Sequence, residues 1–507
     1  MLYLSKLCIF ARKKMKRLCL TIASLLIVIL AMAQKTFLAT ELGIVGDGKT
    51  MNTQAIQKAI DKLTAMKKGG TIVFPEGRYL TGTIEMKSNV HLVLHRGAVL
   101  LGSTNIHDYR SIEPKDAPKS SRDSDNSKLA LLVCYKAQNI SITGEGEIDG
   151  QGRALALNVD SVLYMTNEEY RHAGGGRPLE IYRPKIINFM FLDGYEMRDI
   201  TIRNPACWTQ TYEICSNLKF ENITVRSRTY WNNDGFDLTD CRNATINNCD
   251  VDSGDDGICL KSYYKGYCCE NIRVTNCKVT SSCNALKLGT ASFGGFRNIV
   301  FDNVKVKDTY LSAIAIESVD GCDIDSITFR NITATNTMNP LFIKLGNRTN
   351  GPAGHVRNIL IENLTATVPF LRPDAWAEMR IVSNEGYHNP HPAPITGMPE
   401  QPIEGVTLRH IDITFPGHAS TGMKYVPLWR VESVREDHRS YPEFTMYGEL
   451  PSWGFYVRHV DGIRFEDVRL RLTEDDMRPA LVFDDVKNAK LVDVQTPEAD
   501  HDQIFWH

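Results

Sequence analysis

A short phrase recurs along this chain, and a repeat of that size leaves few folds open. An Asn or turn residue opens an alternating apolar run, then Asn or Asp opens a second one. The copies read NISITGEGEI from Asn139, NLKFENITV from Asn217, NATINNCDV from Asn243, NIRVTNCKV from Asn271 and NIVFDNVKV from Asn298. They continue as SITFRNITA from Ser326, NILIENLTA from Asn358, GVTLRHIDI from Gly405 and GIRFEDVRL from Gly462. Between Asn217 and Ser326 the period is roughly 27 residues, inside the window of solenoid repeats.

Alternation gives each run one buried face, the signature of a strand. No long helical period separates the copies, which argues against β-α-β units. The remaining solution is an all-β coil of parallel strands, a parallel β-helix. Its turns stack about 4.8 Å apart, so residues one repeat apart form columns on the outer face.

Before the repeats, Asn52–Met66 places Ala55, Ile56, Ala59, Ile60 and Leu63 at helical spacing, which predicts a helix capping the open end of the coil. Later the repeat is interrupted between Thr367 and Glu404 and between Pro416 and Val460. The first gap holds HNPHPAPITGMPEQP, a loop composition. Long loops on a rigid scaffold often build binding sites.

The N-terminus carries Arg12, Lys13, Lys14, Lys16 and Arg17, the apolar run Leu18–Leu30, and Ala31-Met32-Ala33. That is the order of a secretory signal, with cleavage expected after Ala33, and the run is short for a membrane anchor. The expected division is residues 1–33 as signal and 34–507 as one coil domain, secreted or periplasmic, with no membrane association after cleavage. Lys and Arg number 58 against 60 Asp and Glu, so no basic excess points to nucleic acid. Of 13 cysteines, Cys8 and Cys19 leave with the signal, so an odd number stays. Cys241, Cys249, Cys259, Cys277 and Cys283 fall in strand-like runs, where Cys acts as a small buried hydrophobe. Disulfides stay open to an exported chain, with Cys268-Cys269 the oddest pair.

Two consecutive turns superimpose as NDGFDL from Asn233 and DDGICL from Asp255. Asp234 then shares a column with Asp256, and Asp255 lies beside them. Three neighbouring carboxylates repel, which favours a shared proton. Glycosidic hydrolysis needs one protonated and one ionised carboxyl. Asn-Asp-Gly and Asp-Asp-Gly also suit tight turns, but their stacking in register favours chemistry.

From about Thr40 to His459 the sequence resembles the polygalacturonases and rhamnogalacturonases of glycoside hydrolase family 28. The resemblance is carried by GDGKTMNTQAIQKAID, GGTIVFPEGRYLTGTI, IDGQG at Ile148, NPACWT at Asn204, and above all NNDGFD followed by SGDDG. It implies a right-handed, pectin-lyase-like β-helix and an inverting hydrolysis of pectic polysaccharide or oligosaccharide. Asp255 would be the general acid, with Asp234 and Asp256 positioning and deprotonating water; no metal or organic cofactor is implied.

Two family motifs are not met. Cys283-Asn284-Ala285 stands where Gly-His-Gly is usual, and Ala315-Ile316-Glu317 where Arg-Ile-Lys is usual. The losses remove a histidine that assists the acid and cations that hold a galacturonate carboxylate. Aligning CNALKL with DDGICL puts Lys287 in the column of Cys259 and Ala315, a possible replacement cation. Lys261, Lys344 and Arg348 are further candidates or else solvated cations, and Glu317 is placed to pair with one of them. The expected substrate contacts are Asn232, Asn284, Lys261, Lys287 and Trp208, with Tyr230 and Trp231 nearby. Trp376, His391, Trp429, Tyr447 and Trp453 in the late insertions are candidates to close one end of a cleft. His355, His388 and His391 match no metal spacing. A hydrolase for another sugar, a carbohydrate-binding β-helix without catalysis, and a lyase remain rival readings; the lyase would need a calcium site and a basic catalytic residue.

Overall fold

The computed structural model describes residues 35–112, 116–121, 127–373, 389–419 and 425–507. The expected signal segment, Trp376 and His388 lie outside them. The described strands belong to one 32-stranded sheet, and one pairing, Arg110–Ser111 with Leu129–Gly144, is antiparallel. Each turn supplies three short strands to three faces. One face stacks Ser216–Glu221, Arg242–Asn247 and Cys269–Thr275. The next stacks Thr224–Ser227, Asp250–Ser253 and Lys278–Ser281. The third, which carries the site, stacks Phe236–Thr239, Ile258–Ser262, Leu286–Ser292, Ile314–Ser318 and Phe342–Leu345.

The recurring asparagines have a conformational cause. Asn217, Asn243, Asn271 and Asn298 open their strands at φ between 53° and 57°. This left-handed region costs most L-residues about 1–2 kcal/mol and suits Asn, whose short amide bonds locally. Here the amides also bond one another along the coil, from Asn271 to Asn243 at 3.2 Å and from Asn298 to Asn271 at 2.6 Å. A second line runs through Asn222, Asn248, Asn276, Asn303, Asn331 and Asn363, all at positive φ.

Inward residues of successive turns lie on one another. Leu218, Ala244, Ile272, Ile299, Ile327, Ile359, Val406 and Ile463 form one such line. Phe301 and Phe329 stack with centroids 4.5 Å apart. Thr53–Thr64 is the expected cap helix; it buries Ile56, Ala59, Ile60 and Leu63, with Ala55 half-buried. The eleven described cysteines are free and all but Cys268 are buried, so they fill space as small apolar groups. No helix among the described residues is long and apolar enough to cross a membrane.

One feature departs from the expected plan. Helices Gly152–Thr166 and Glu168–His172 interrupt the coil after Glu147–Asp149, where no helix was expected. The late interruptions do not end the coil, which continues through Ile403–Phe415, Phe455–Leu472 and Leu481–Lys487 to Ile504–Trp506. The chain between Phe415 and Phe455 folds back over the third face. There Val431, Val434, Phe444, Met446 and Tyr447 join Ala315, Phe342 and Tyr456 in a second buried cluster.

Candidate active site

The column alignment holds. Phe236 pairs with Ile258, so Asp234 lies level with Asp256, and Gly235 N donates to the Asp256 carbonyl at 2.9 Å. Gly235 and Gly257 are required by space: a Cβ at Gly235 would stand 2.5 Å from the Gly257 oxygen, and one at Gly257 2.4 Å from Val279 Cγ1. With no side chain in between, the turns approach closely enough to bring the aspartates together.

Asp255, 9% exposed, is the least buried of the three. Its Oδ1 accepts from Asp256 N at 2.9 Å and its Oδ2 faces Asn232 Nδ2 at 3.5 Å. Asp256 Oδ1 accepts from Asn284 N at 3.1 Å and Asn284 Nδ2 at 3.2 Å, and its Oδ2 lies 3.1 Å from Lys287 Nζ. Burial opposes the Asp256 charge, but Lys287 and Lys261 outweigh burial and hold the carboxyl below its ordinary range. Asp234 goes the other way. Burial pushes its pKa well above the usual carboxylate value and Asp237 adds to this, with Lys261 at 3.1 Å offsetting only part. The register therefore places an ionised carboxyl and a proton-holding one on adjacent turns.

The cations call for a correction. Lys261 and Lys287 are not solvated: both ammonium groups are buried and paired with the protein's own acids. Lys261 Nζ lies 2.7 Å from Asp237 and caps the Trp208 ring at 4.6 Å. Lys287, in the expected column between Cys259 and Ala315, is 1% exposed and also faces Glu317 at 3.9 Å. Burial opposes both ammonium charges, yet the surrounding carboxylates raise both well above the ordinary lysine value. Arg348 grips Asp320 with two nitrogens, at 3.0 and 2.6 Å. Lys344 is buried, donates to the Glu436 carbonyl at 3.2 Å, and is pushed down to about 8 by burial.

The other candidates divide. Asn232 and Asn284 are buried beside Asp255 and Asp256. Trp208 is buried between Lys185 and Lys261, at 4.8 and 4.6 Å, and offers little surface to a sugar. Tyr230 and Trp231 are half-buried, with Arg177 4.1 Å above the Trp231 ring. Tyr447 and Trp453 are packed into the protein, His391 is buried edge-on to Phe444, and Trp429 is exposed. His355 bonds Gln401 at 2.7 Å.

Sequence reasoning missed four contributors. Buried Arg183 donates to Asn232 Oδ1 at 2.6 Å and to the carbonyls of Ala206 and Trp231, fixing the loop that carries Asn232. Asp237 was visible in the NDGFDL phrase as an outward strand residue, but its partner was not. Tyr441 and Glu443 come from the insertion between Phe415 and Phe455, and no repeat signal marks them. Tyr441 Oη lies 3.4 Å from Lys287 Nζ. Cys283 Sγ and one oxygen each of Asp255 and Asp256 fall within 4.8 Å of one another.

Carboxyls of opposed proton affinity on the flank of a parallel coil are the equipment of a glycoside hydrolase acting on a sugar chain. Comparison with known proteins gives the family: the profile described as Glycosyl hydrolases family 28 matches residues 70–372. The chain belongs to that family. It is 26% identical over 427 residues to a probable polygalacturonase of Vitis vinifera, covering 78% of this chain and 76% of the relative. It is 24% identical to an exo-poly-alpha-D-galacturonosidase of Dickeya chrysanthemi, covering 73% and 70%. Among solved structures, a hyperthermoactive exopolygalacturonase from Thermotoga maritima matches with TM-score 0.57 and 22% identity, over 75% of this chain and 86% of that one. These likenesses in coordinates establish the β-helix.

Proposed function

We propose that this family 28 hydrolase cleaves glycosidic bonds of galacturonate-containing pectic chains, with inversion, outside the cytoplasm. The observation that carries the reading is the stacked trio Asp234, Asp255 and Asp256, and the polygalacturonases among its relatives supply the substrate class. In this reading Asp255, the most open of the three, protonates the glycosidic oxygen. Asp256, kept anionic by Lys287 and Asn284, takes the proton from water. Asp234 holds its own proton and orients that water. Arg183 acts through Asn232, which faces Asp255.

The test is incubation of purified protein with galacturonan, rhamnogalacturonan and their oligomers, followed by assay of reducing ends. A carbohydrate binder would release none, and a lyase would release unsaturated uronates. Asp255 and Asp256 oxygens within 4.8 Å are closer than the roughly 6.5–9.5 Å common between carboxyls of inverting enzymes. The anomer first released, read by proton NMR, decides the stereochemistry. Export is tested by sequencing the N-terminus of the mature protein, expected at Gln34.

A further inference from the structure

Repeatedly, the coil answers an outward cation on one rung with an acid on the next. Arg297 meets Glu270 and Arg330 meets Asp302, both at 2.7 Å. On the second face Arg226 meets Asp250 and Arg471 meets Asp412, both at 2.8 Å. One place on that face breaks the rule. Lys278 stacks directly on Lys305, and Lys307 stands two positions further along the same strand. All three are exposed; among the described residues Lys278 and Lys305 form no ion pair, and Lys307 reaches Asp308 at 3.4 Å.

Like charges in one column of a sheet repel, and a bound anion turns that cost into binding. The acids one rung before Lys278 and Thr280 are already engaged, Asp250 by Arg226 and Asp252 by Arg228. The three lysines line a groove of about 480 Å³ together with Thr280, Thr333 and Thr335. Threonine hydroxyls both donate and accept, which suits the hydroxyls of a sugar. No aromatic ring lines the groove for nucleobases to stack on. The occupant that fits is a linear polymer bearing carboxylates and hydroxyls together. The groove also leads to the cleavage site. Its strand Lys278–Ser281 runs on through Ser282 and Cys283 to Asn284, which holds Asp256, and Ser281 Oγ donates to the Asp255 carbonyl at 2.7 Å. A chain lying here is one edge of the coil away from the three aspartates.

We propose that this groove is a second binding surface, separate from the cleavage site, on which Lys278, Lys305 and Lys307 hold the carboxylates of an acidic polysaccharide chain. It tethers a polymer while another stretch of the chain is cut, and it takes no part in the chemistry. Because the three ammonium groups are exposed, its hold weakens as salt screens them. The inference rests on the proposed pectic reading for the identity of the acidic chain.

The experiment separates the two. Asp255→Asn protein is titrated by calorimetry with polygalacturonate, digalacturonate, dextran and single-stranded DNA. Adding Lys278→Gln, Lys305→Gln and Lys307→Gln together removes the charges and keeps most of each stem. Affinity for polygalacturonate is expected to fall about tenfold, the worth of three exposed ion pairs, while that for digalacturonate stays within about twofold. Lys278→Arg, Lys305→Arg and Lys307→Arg together keep the polymer affinity, and added salt weakens polymer binding by the parent more steeply than by the Gln variant. Polymer affinity unchanged in the Gln variant, or digalacturonate affinity lost along with it, overturns the inference. Dextran or single-stranded DNA bound as tightly as polygalacturonate through the same lysines overturns the assignment to an acidic polysaccharide. Reducing-end release by the wild-type chain is scored separately. Release of pectic products without lysine-dependent polymer binding sinks this inference alone; lysine-dependent binding without release from any pectic substrate sinks the hydrolytic reading alone.

Discussion

Replacing Lys287 by Met removes the charge that keeps Asp256 ionised while preserving most of the buried stem. At an effective dielectric near 20, charges 3.1 Å apart interact by about 5 kcal/mol, an upper limit that relaxation reduces. Lys261 continues to favour the anion, so the Asp256 pKa rises but the carboxyl is not left without a cation. Asp256 would then take its proton at a higher pH, and the acid limb of the kcat/KM profile moves up with it. Glu317→Gln is the control. With its pKa raised to about 7 by burial, Glu317 is already protonated where Asp256 titrates, so this variant leaves the acid limb in place. The assay is reducing-end release from pH 3 to 8 at fixed ionic strength, with thermal unfolding run in parallel. An acid limb that stays still in Lys287→Met, or that moves as far in Glu317→Gln, would refute Asp256 as the anionic base.

Three further outcomes are expected. Asp255→Asn lowers kcat by about 10²–10⁴, the usual contribution of a general acid, with little change in unfolding temperature. Glu317 has its pKa raised to about 7 by burial, above the unfolded value, so its stabilising share is complete below the unfolded pKa and is lost as pH rises through 7. Unfolding temperature should therefore fall between pH 5 and 8, and fall less in Glu317→Gln; an equal fall in both excludes this source. Asn271→Ala, at φ 57°, should cost about 1–2 kcal/mol in urea unfolding and Asn271→Gly less, because glycine accepts the left-handed turn.

What was legible follows from the coil itself. Repeats map onto columns, so the level placement of Asp234 and Asp256 and the neighbours of Lys287 could be read by aligning turns. The cap helix was equally plain, since Ile56, Ala59, Ile60 and Leu63 repeat at helical spacing. Columns do not say what lies outside a sheet, however. Lys261 and Lys344 were judged partly as solvated strand cations, yet Trp208 covers one and the late insertion buries the other. The insertion has no period, so nothing within it marked Glu443 or Tyr441 as neighbours of Lys287. The Gly152–Thr166 helix lacks a repeat partner for the same reason, and Arg183 looks like any loop arginine until its hydrogen bonds are seen.

The segment between Phe415 and Phe455 leaves the coil and rejoins it without disturbing the register, for Ile411 still lies on Val468 and Ala393 on Phe455. Closing a longer excursion costs only about 0.6 kcal/mol per doubling of its length. Such an excursion can therefore change its length almost independently of the rungs beneath. The three aspartates are held by the stacking of the rungs, and what lies above them is set by the loop alone.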